Sequence, residues 1–228
     1  DFLSVTPSTM DTARTYQGPT PHWIVALSQT NARGRRGRSW LSAEGAFAAT
    51  LVLSPNCSPQ DAACRSFVAA CALRDALSRI STAQLSQKWP NDVLLNGGKL
   101  AGILLESAGA GGSLSHFAIG IGVNLSRAPE VSEVEQGALR PVSLLSETGI
   151  AVDPEAFLDL LAPAYARAEA QFVTFGFAPI RTAWLARAAR LGEVIAARTT
   201  REVYEGRFET VDEAGNLVLL TAQGRQAI

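Results

Sequence analysis

Residues 88–102, Lys-Trp-Pro-Asn-Asp-Val-Leu-Leu-Asn-Gly-Gly-Lys-Leu-Ala-Gly, contain two short apolar runs separated by a strong turn signal. The triplet Asn96-Gly97-Gly98 favours a hairpin, because asparagine and glycine accept the positive φ angles of tight turns between antiparallel strands. We therefore expect Asp92 and Lys99 to lie on paired strands and close in space. Taken singly, Lys99 is also compatible with an ordinary exposed strand lysine, and Asp92 with a simple ion pair to an arginine.

Other short apolar or β-branched runs, separated by turn residues, predict further strands of the same sheet. Together with the hairpin they cover residues 21–27, 47–53, 84–89, 92–95, 99–106 and 116–123. Helices are predicted from 61 to about 80, from 154 onwards and from about 179 to 190. The glycine-rich residues 108–115 predict a flexible hairpin loop. This pattern indicates an α+β or α/β domain with a mixed β-sheet and flanking helices, over residues 1–190.

The pattern of apolar and polar residues changes after residue 190. Short alternating segments at 193–198, 204–211 and 216–221 predict a small β unit over residues 191–228. A unit of this size has little core of its own, so we expect it to pack against the main domain.

The overall charge excludes some classes of function. The 228 residues carry 20 basic and 21 acidic side chains, which leaves a net charge of −1 and argues against a general nucleic-acid or membrane-surface binder. No apolar run approaches the roughly 20 residues that span a bilayer, and no signal peptide is recognisable. The three cysteines form no CxxC pair. We expect a cytoplasmic protein without a membrane partner. Because the chain as a whole is nearly neutral, any basic binding site must be confined to a short segment.

The segment Arg33-Gly34-Arg35-Arg36-Gly37-Arg38 is such a local basic site. Its glycines let the backbone fold back, while four arginines supply fixed donor groups for an anion, which is typical of a phosphate-embracing loop. A solvated basic turn or a nucleic-acid patch is the alternative. No P-loop is present, and Gly120-Ile121-Gly122 lacks the third glycine of a dinucleotide fingerprint. A nucleotide would therefore bind through arginine and lysine side chains with Mg²⁺.

These segments resemble the biotin protein ligases in order and spacing. The resemblance rests on Gln29-Thr30, residues 33–40, 88–92, 99–106 and 120–125, and covers essentially the whole chain, most firmly residues 22–150. It implies a mixed sheet like that of class II aminoacyl-tRNA synthetases and biotin ligases, followed by a small SH3-like C-terminal β-barrel. It also implies two reaction steps: biotin and MgATP form biotinyl-5′-adenylate, and a lysine of a biotin carboxyl carrier domain then takes the biotin.

The resemblance also implies roles for individual residues. Biotin would be bound by Ser8, Thr9, Met10, Gln29, Arg33, Gly34, Arg35, Lys99 and Gly102. ATP or the adenylate would be bound by Arg33, Arg35, Arg36, Arg38, Trp40, Asn91 and Asn124. Arg35, Lys99 and Asp92 would be catalytic, with Asp92 also in the vicinity of Mg²⁺. Two residues depart from the family pattern, Met10 where asparagine is usual and Ala32 where glycine is usual.

The partners follow from the same resemblance. We expect biotin, ATP and a carrier domain, and a homodimer is compatible with the family. Longer ligases carry an N-terminal DNA-binding module, for which the residues before the first predicted strand leave no room, so we expect a short form that does not bind DNA. A lipoate protein ligase of the same superfamily and a non-catalytic biotin- or nucleotide-binding protein are the alternatives.

Overall fold

A computed structural model describes residues 1–110, 113–199 and 202–228 and shows a seven-stranded sheet with the order β1-β2-β3-β7-β6-β5-β4. Strand β1 pairs with β2 in parallel and all other neighbours are antiparallel, so the sheet is mixed. The strands are β1 (Phe2–Thr6), β2 (His22–Gln29), β3 (Phe47–Leu53), β4 (Leu85–Lys88), β5 (Asp92–Leu95), β6 (Gly98–Ala110) and β7 (Ser113–Val123).

Five α-helices accompany this sheet: α1 (Thr9–Arg14), α2 (Pro59–Ser78), α3 (Leu144–Thr148), α4 (Pro154–Phe175) and α5 (Phe177–Leu185). Helix α2 begins two residues before its expected start, because Ser58 accepts a hydrogen bond from the backbone N–H of Asp61 and Pro59 occupies the first turn. Helix α5 ends earlier than expected. Arg190, the last residue of the predicted helix, has a φ of 62°, which a right-handed helix cannot accommodate.

The two faces of the sheet bury different sets of side chains. On β3, Phe47, Ala49 and Leu51 belong to the large core under α2 and α4, where Phe47 meets Phe157 edge to face with ring centroids 5.1 Å apart. Val52 belongs to a second cluster with Met10 and Ala13 of α1. The period-two alternation of a strand thus explains why helices are needed on both faces.

The C-terminal residues form a second, antiparallel sheet with the order β11-β10-β9-β8. Its strands are β8 (Val194–Arg198), β9 (Val203–Val211), β10 (Leu217–Thr221) and β11 (Gly224–Ala227). Phe208 packs on Trp184 of α5 with ring centroids 6.5 Å apart, and the Trp89 indole N–H donates to the Gly215 carbonyl at 3.0 Å. The expectation that this small unit packs against the rest of the chain is confirmed.

One local expectation was wrong, and two short elements were not predicted. The predicted loop at 108–115 is mostly ladder, since β6 continues to Ala110 and β7 starts at Ser113, with Ala108 opposite His116; residues 111 and 112 lie outside the described part. Sequence patterns also missed β1 and α1, which are short and carry no long apolar run. Across the described ranges, no helix is long and apolar enough to cross a membrane.

Candidate active site

A cavity of about 580 Å³ lies between the arginine loop, the β5–β6 hairpin and β8 of the C-terminal sheet. This volume is in the range of ordinary small-molecule sites. Its wall contains every candidate site residue named from the sequence except Asn124: Ser8, Thr9, Met10, Gln29, Arg33, Gly34, Arg35, Arg36, Arg38, Trp40, Asn91, Asp92, Lys99 and Gly102. Residues from distant parts of the chain therefore meet at one place.

The hairpin places its charged residues as predicted. Asn96 and Gly97 have φ angles of 49° and 79°, and the Lys99 ammonium Nζ lies 2.8 Å from Asp92 Oδ1. The second lysine, Lys88, has its Nζ 4.0 Å from Asp92 Oδ2. These are the two lysines of the whole sequence, and both line the cavity. One carboxylate thus holds two cations at the cavity wall.

The arginine loop extends across the cavity from the opposite side. It contains a single 3₁₀ turn, Arg35–Gly37, in which Arg36 itself has a φ of 60°. Arg35 Nη1 donates to Asn91 Oδ1 at 3.3 Å, which connects the loop to the hairpin. Burial, followed by repulsion from Arg36, lowers the pKa of Arg35, while Asp92 acts in the opposite direction. An anion bound beside Arg35 would relieve both unfavourable effects.

Two further arginines of the loop contact other segments that border the cavity. Arg36 Nη2 donates to the backbone carbonyl of Arg198 in β8 at 3.0 Å, and Arg38 Nε lies 3.1 Å from Glu135 Oε1. These contacts connect the loop to the C-terminal sheet and to the segment after β7. The loop therefore covers part of the cavity.

Arg33 is held in a different way, by carboxylates that the sequence analysis did not identify. Its Nη2 lies 2.6 Å from Asp11 Oδ1 in α1 and 3.7 Å from Glu106 Oε1 in β6. Arg14 shares both partners, with its Nη2 2.8 Å from Glu106 Oε2. The charge of Arg33 is therefore already paired, whereas Arg35 has no carboxylate within ion-pair distance among the described residues. We call Asp11 and Glu106 the carboxylate clamp.

The end of the cavity near α1 is polar. Ser8 caps α1 by accepting from the Met10 N–H at 3.2 Å, and Gln29 Oε1 accepts from the Thr9 N–H at 2.8 Å. Met10 itself is buried, and a Cβ added at Gly120 would lie 2.9 Å from its sulfur. The departure from asparagine at position 10 thus places an apolar side chain against a strand glycine.

The indole of Trp40 packs closely against two glycines of the sheet. A Cβ added at Gly122 would come within 2.6 Å of the ring, and one at Gly102 within 3.0 Å. The Lys99 ammonium lies 5.6 Å from the ring centroid, which is within cation–π distance. Gly102 and Gly122 are therefore needed for the close approach of the Trp40 ring to the sheet.

Asn124 is the site candidate that the structure does not bring to the cavity. It is 2% exposed at the end of β7, and its Nδ2 donates to the Val142 carbonyl at 3.1 Å. Its backbone N–H donates to the Leu100 carbonyl. In this arrangement Asn124 joins β7 to the following segment and does not line the cavity.

Comparison with known proteins identifies the family and the fold. The model of the biotin/lipoate A/B protein ligase family matches residues 2–124, and that of the biotin protein ligase C-terminal domain matches residues 191–228. This chain belongs to the biotin/lipoate A/B protein ligase family. The resemblance and the fold class predicted from the sequence are thus confirmed.

Among individual members of this ligase family, a biotin–[acetyl-CoA-carboxylase] ligase of Paracoccus denitrificans is 59% identical over 208 residues, covering 90% of this chain and 87% of the relative. The bifunctional ligase/repressor BirA of Bacillus subtilis is 30% identical over the whole chain and 70% of its own length. The structure of a biotin protein ligase from Aquifex aeolicus in complex with biotin and ATP superposes with a TM-score of 0.87 at 25% identity, covering 100% of this chain and 94% of that one.

Proposed function

We propose that this chain is an ATP-dependent biotin protein ligase. It activates biotin as biotinyl-5′-AMP and transfers the biotin to a lysine in the carrier domain of a biotin-dependent carboxylase, such as acetyl-CoA carboxylase. The observation that carries the proposal is the meeting of Arg35 and the Lys99–Asp92 pair at one cavity. The 59% identity to a biotin–[acetyl-CoA-carboxylase] ligase favours biotin over lipoate.

In the first step a carboxylate oxygen of biotin attacks the α-phosphorus of ATP, a new O–P bond forms, and pyrophosphate leaves. Negative charge accumulates around phosphorus in the transition state, and fixed cations stabilise it most when they are already in place. Lys99 is suited to this role because Asp92 holds its ammonium group at 2.8 Å. Arg35 is suited because burial and its neighbour Arg36 leave its charge poorly compensated until an anion binds.

In the second step the neutral amine of the carrier lysine attacks the acyl carbon of the adenylate. An amide bond forms, AMP leaves, and the amine loses a proton. Before this step the mixed anhydride must be kept from water. The contacts from Arg36 to Arg198 and from Arg38 to Glu135 support this protection, because they hold the arginine loop across the cavity.

Magnesium is proposed as the partner of ATP. Mg²⁺ commonly binds through one or two carboxylates together with substrate phosphates and water. The described part of the chain contains no cluster of three metal-ligating side chains, but Asp92 offers one carboxylate beside the phosphate-binding cations. These residues fit a magnesium ion that arrives with ATP, and the ion would neutralise phosphate charge when bound.

We further propose that residues 1–190 act as the catalytic domain and residues 191–228 as a C-terminal domain that completes the cavity. Ile195, Ala196, Ala197 and Arg198 of β8 line the cavity, and Arg198 provides the carbonyl for Arg36. The C-terminal sheet thus contributes backbone to the enclosure of the ligand.

The proposal is tested by pyrophosphate release from MgATP in the presence of biotin or lipoate, followed by mass measurement of an added carrier domain. We expect biotin-dependent release and a carrier mass increased by one biotinyl group. Preference for lipoate would reassign the substrate. Tight biotin binding without turnover would indicate a non-catalytic binding protein.

A further inference from the structure

Thr50 is a buried hydroxyl in an otherwise apolar strand. It lies in the middle of β3, Phe-Ala-Ala-Thr-Leu-Val-Leu, and is 0% exposed. Its Oγ1 donates to Thr9 Oγ1 at 2.8 Å. A polar group buried at this depth costs stability unless it is hydrogen-bonded, so the partner of Thr50 is significant.

The direction of the hydrogen bonds that continue from Thr50 is fixed by the backbone. The Thr9 backbone N–H can only donate, so the Gln29 atom that it meets at 2.8 Å is the carbonyl Oε1. The Thr9 hydroxyl lies 3.2 Å from the same oxygen and must therefore donate to it as well. Its lone pairs remain to accept the hydrogen of Thr50. Two hydrogen bonds thus run in one direction, from Thr50 through the Thr9 hydroxyl to Gln29. The Thr9 backbone N–H donates a third to the same Gln29 oxygen.

This direction determines what Gln29 offers to a ligand. Both acceptor positions of Oε1 are used by Thr9, and within the described ranges no protein group accepts from Gln29 Nε2. Gln29 lines the cavity, whereas Thr50 does not. The amide therefore presents donor hydrogens to the hydrogen-bond acceptor of a bound molecule, in an orientation held by two bonds from Thr9.

We propose that Thr50 is a positioning residue for biotin: it holds the Thr9 hydroxyl in the rotamer that fixes the Gln29 amide, and so sets biotin affinity without touching the ligand. The inference rests on the proposed function, because it takes biotin as the molecule beside Gln29. Loss of the Thr50 hydroxyl frees the Thr9 hydroxyl to rotate away from Gln29, and so weakens one of the two bonds that hold the amide. A loosely held donor loses part of its binding contribution to reorganisation.

The direct test is Thr50→Val, which keeps the shape of the side chain and removes the hydroxyl, compared with Thr50→Ser, which keeps the hydroxyl. Calorimetric titration with biotin is expected to show Kd raised about three- to tenfold in Thr50→Val and within about twofold of wild type in Thr50→Ser. The KM for ATP and kcat should both change less than about twofold, since the arginine loop is untouched. Equal biotin affinity in wild type and Thr50→Val would overturn the inference, and so would equal weakening by both substitutions.

A second pair of variants separates positioning from a general effect on the fold. Gln29→Met removes the amide at similar length, and in this background Thr50→Val should alter biotin affinity by less than about twofold, because nothing remains to be positioned. If the rise in the Kd for biotin in the double variant equals the product of the rises in the two single variants, the inference is overturned. If Thr50→Val does not fold, as judged by thermal melting, Thr50→Ala and Thr50→Ser are compared in the same way.

Failure of the positioning role of Thr50 and failure of the proposed ligase function give different experimental results. Biotin binding by wild type without pyrophosphate release would refute the ligase activity, while the affinities of the variants would still decide the role of Thr50. Normal turnover with an unaltered Thr50→Val affinity would refute only the positioning role.

Discussion

Replacement of Lys99 by methionine should separate catalysis from stability. The substitution keeps an unbranched side chain of similar length and removes the ammonium group that lies 2.8 Å from Asp92 and 5.6 Å from the Trp40 ring centroid. The side chain of Lys99 is 32% exposed and that of Asp92 is 12% exposed, so the pair lies at the cavity wall and not in the deep core.

The expected magnitude follows from two estimates. A unit charge about 4 Å from developing negative charge is worth about 4 kcal/mol at an effective dielectric constant of about 20. Removal of one preorganised donor from an oxyanion-stabilising site typically costs about 10²- to 10³-fold in kcat, or about 3–4 kcal/mol. We therefore expect adenylate formation to slow by about 10²- to 10³-fold. The loss in unfolding free energy should be about 1 kcal/mol or less, because the ion pair is partly solvated.

The assay is steady-state pyrophosphate release at saturating MgATP and biotin, with thermal unfolding of the same preparations. Lys88→Met is the matched control, since Lys88 is the only other lysine and lies 4.0 Å from the same carboxylate, with its side chain 42% exposed. We expect it to lose less than about tenfold in rate, because the weaker Coulomb interaction is screened by solvent. A Lys99→Met rate within tenfold of wild type, or equal losses in the two variants, would refute the role assigned to Lys99.

Two further predictions concern other parts of the structure. Asp11→Asn removes one charge of the carboxylate clamp and so loosens Arg33, whose Nη2 lies 2.6 Å from Asp11 Oδ1. We expect the KM for biotin or ATP to rise about three- to tenfold in steady-state kinetics. Unaltered KM values would contradict this. Phe208→Ala removes a buried ring that packs on Trp184, and should lower the unfolding free energy by about 3–5 kcal/mol in denaturant titration. A loss below about 1 kcal/mol would show that the C-terminal sheet is not stabilised by the shared core.

The parts of the site that could be predicted from the sequence are those fixed by local chemistry. Asn96-Gly97-Gly98 specifies a turn by itself, and this turn pairs the two strands that carry Asp92 and Lys99. The arginine loop is equally local, because its charge and its glycines occur within six residues. Helix starts at Ser58 and Asp153 were found to within a few residues, since capping depends on near neighbours.

The remaining features depend on contacts between distant residues. Thr50 has no special sequence context, and its importance arises only because α1 packs over β3 and places Thr9 above it. Glu106 is an ordinary strand residue until α1 brings Asp11 and Arg14 beside it. Asn124 was assigned to the cavity from its motif, but the segment after β7 turns back and covers it, with Leu144 N–H donating to its backbone carbonyl.

The scarcity of lysine in this chain has a chemical consequence for an enzyme that would hold an activated acyl group. Of the 20 basic side chains, all but Lys88 and Lys99 are arginines, and guanidinium groups stay protonated and do not attack acyl carbons under ordinary conditions. The side-chain nitrogen of Lys99 is engaged by Asp92 at 2.8 Å. An adenylate that escaped the cavity would thus find almost no side-chain amine on its own enzyme, which leaves the lysine of the carrier as the favoured nucleophile.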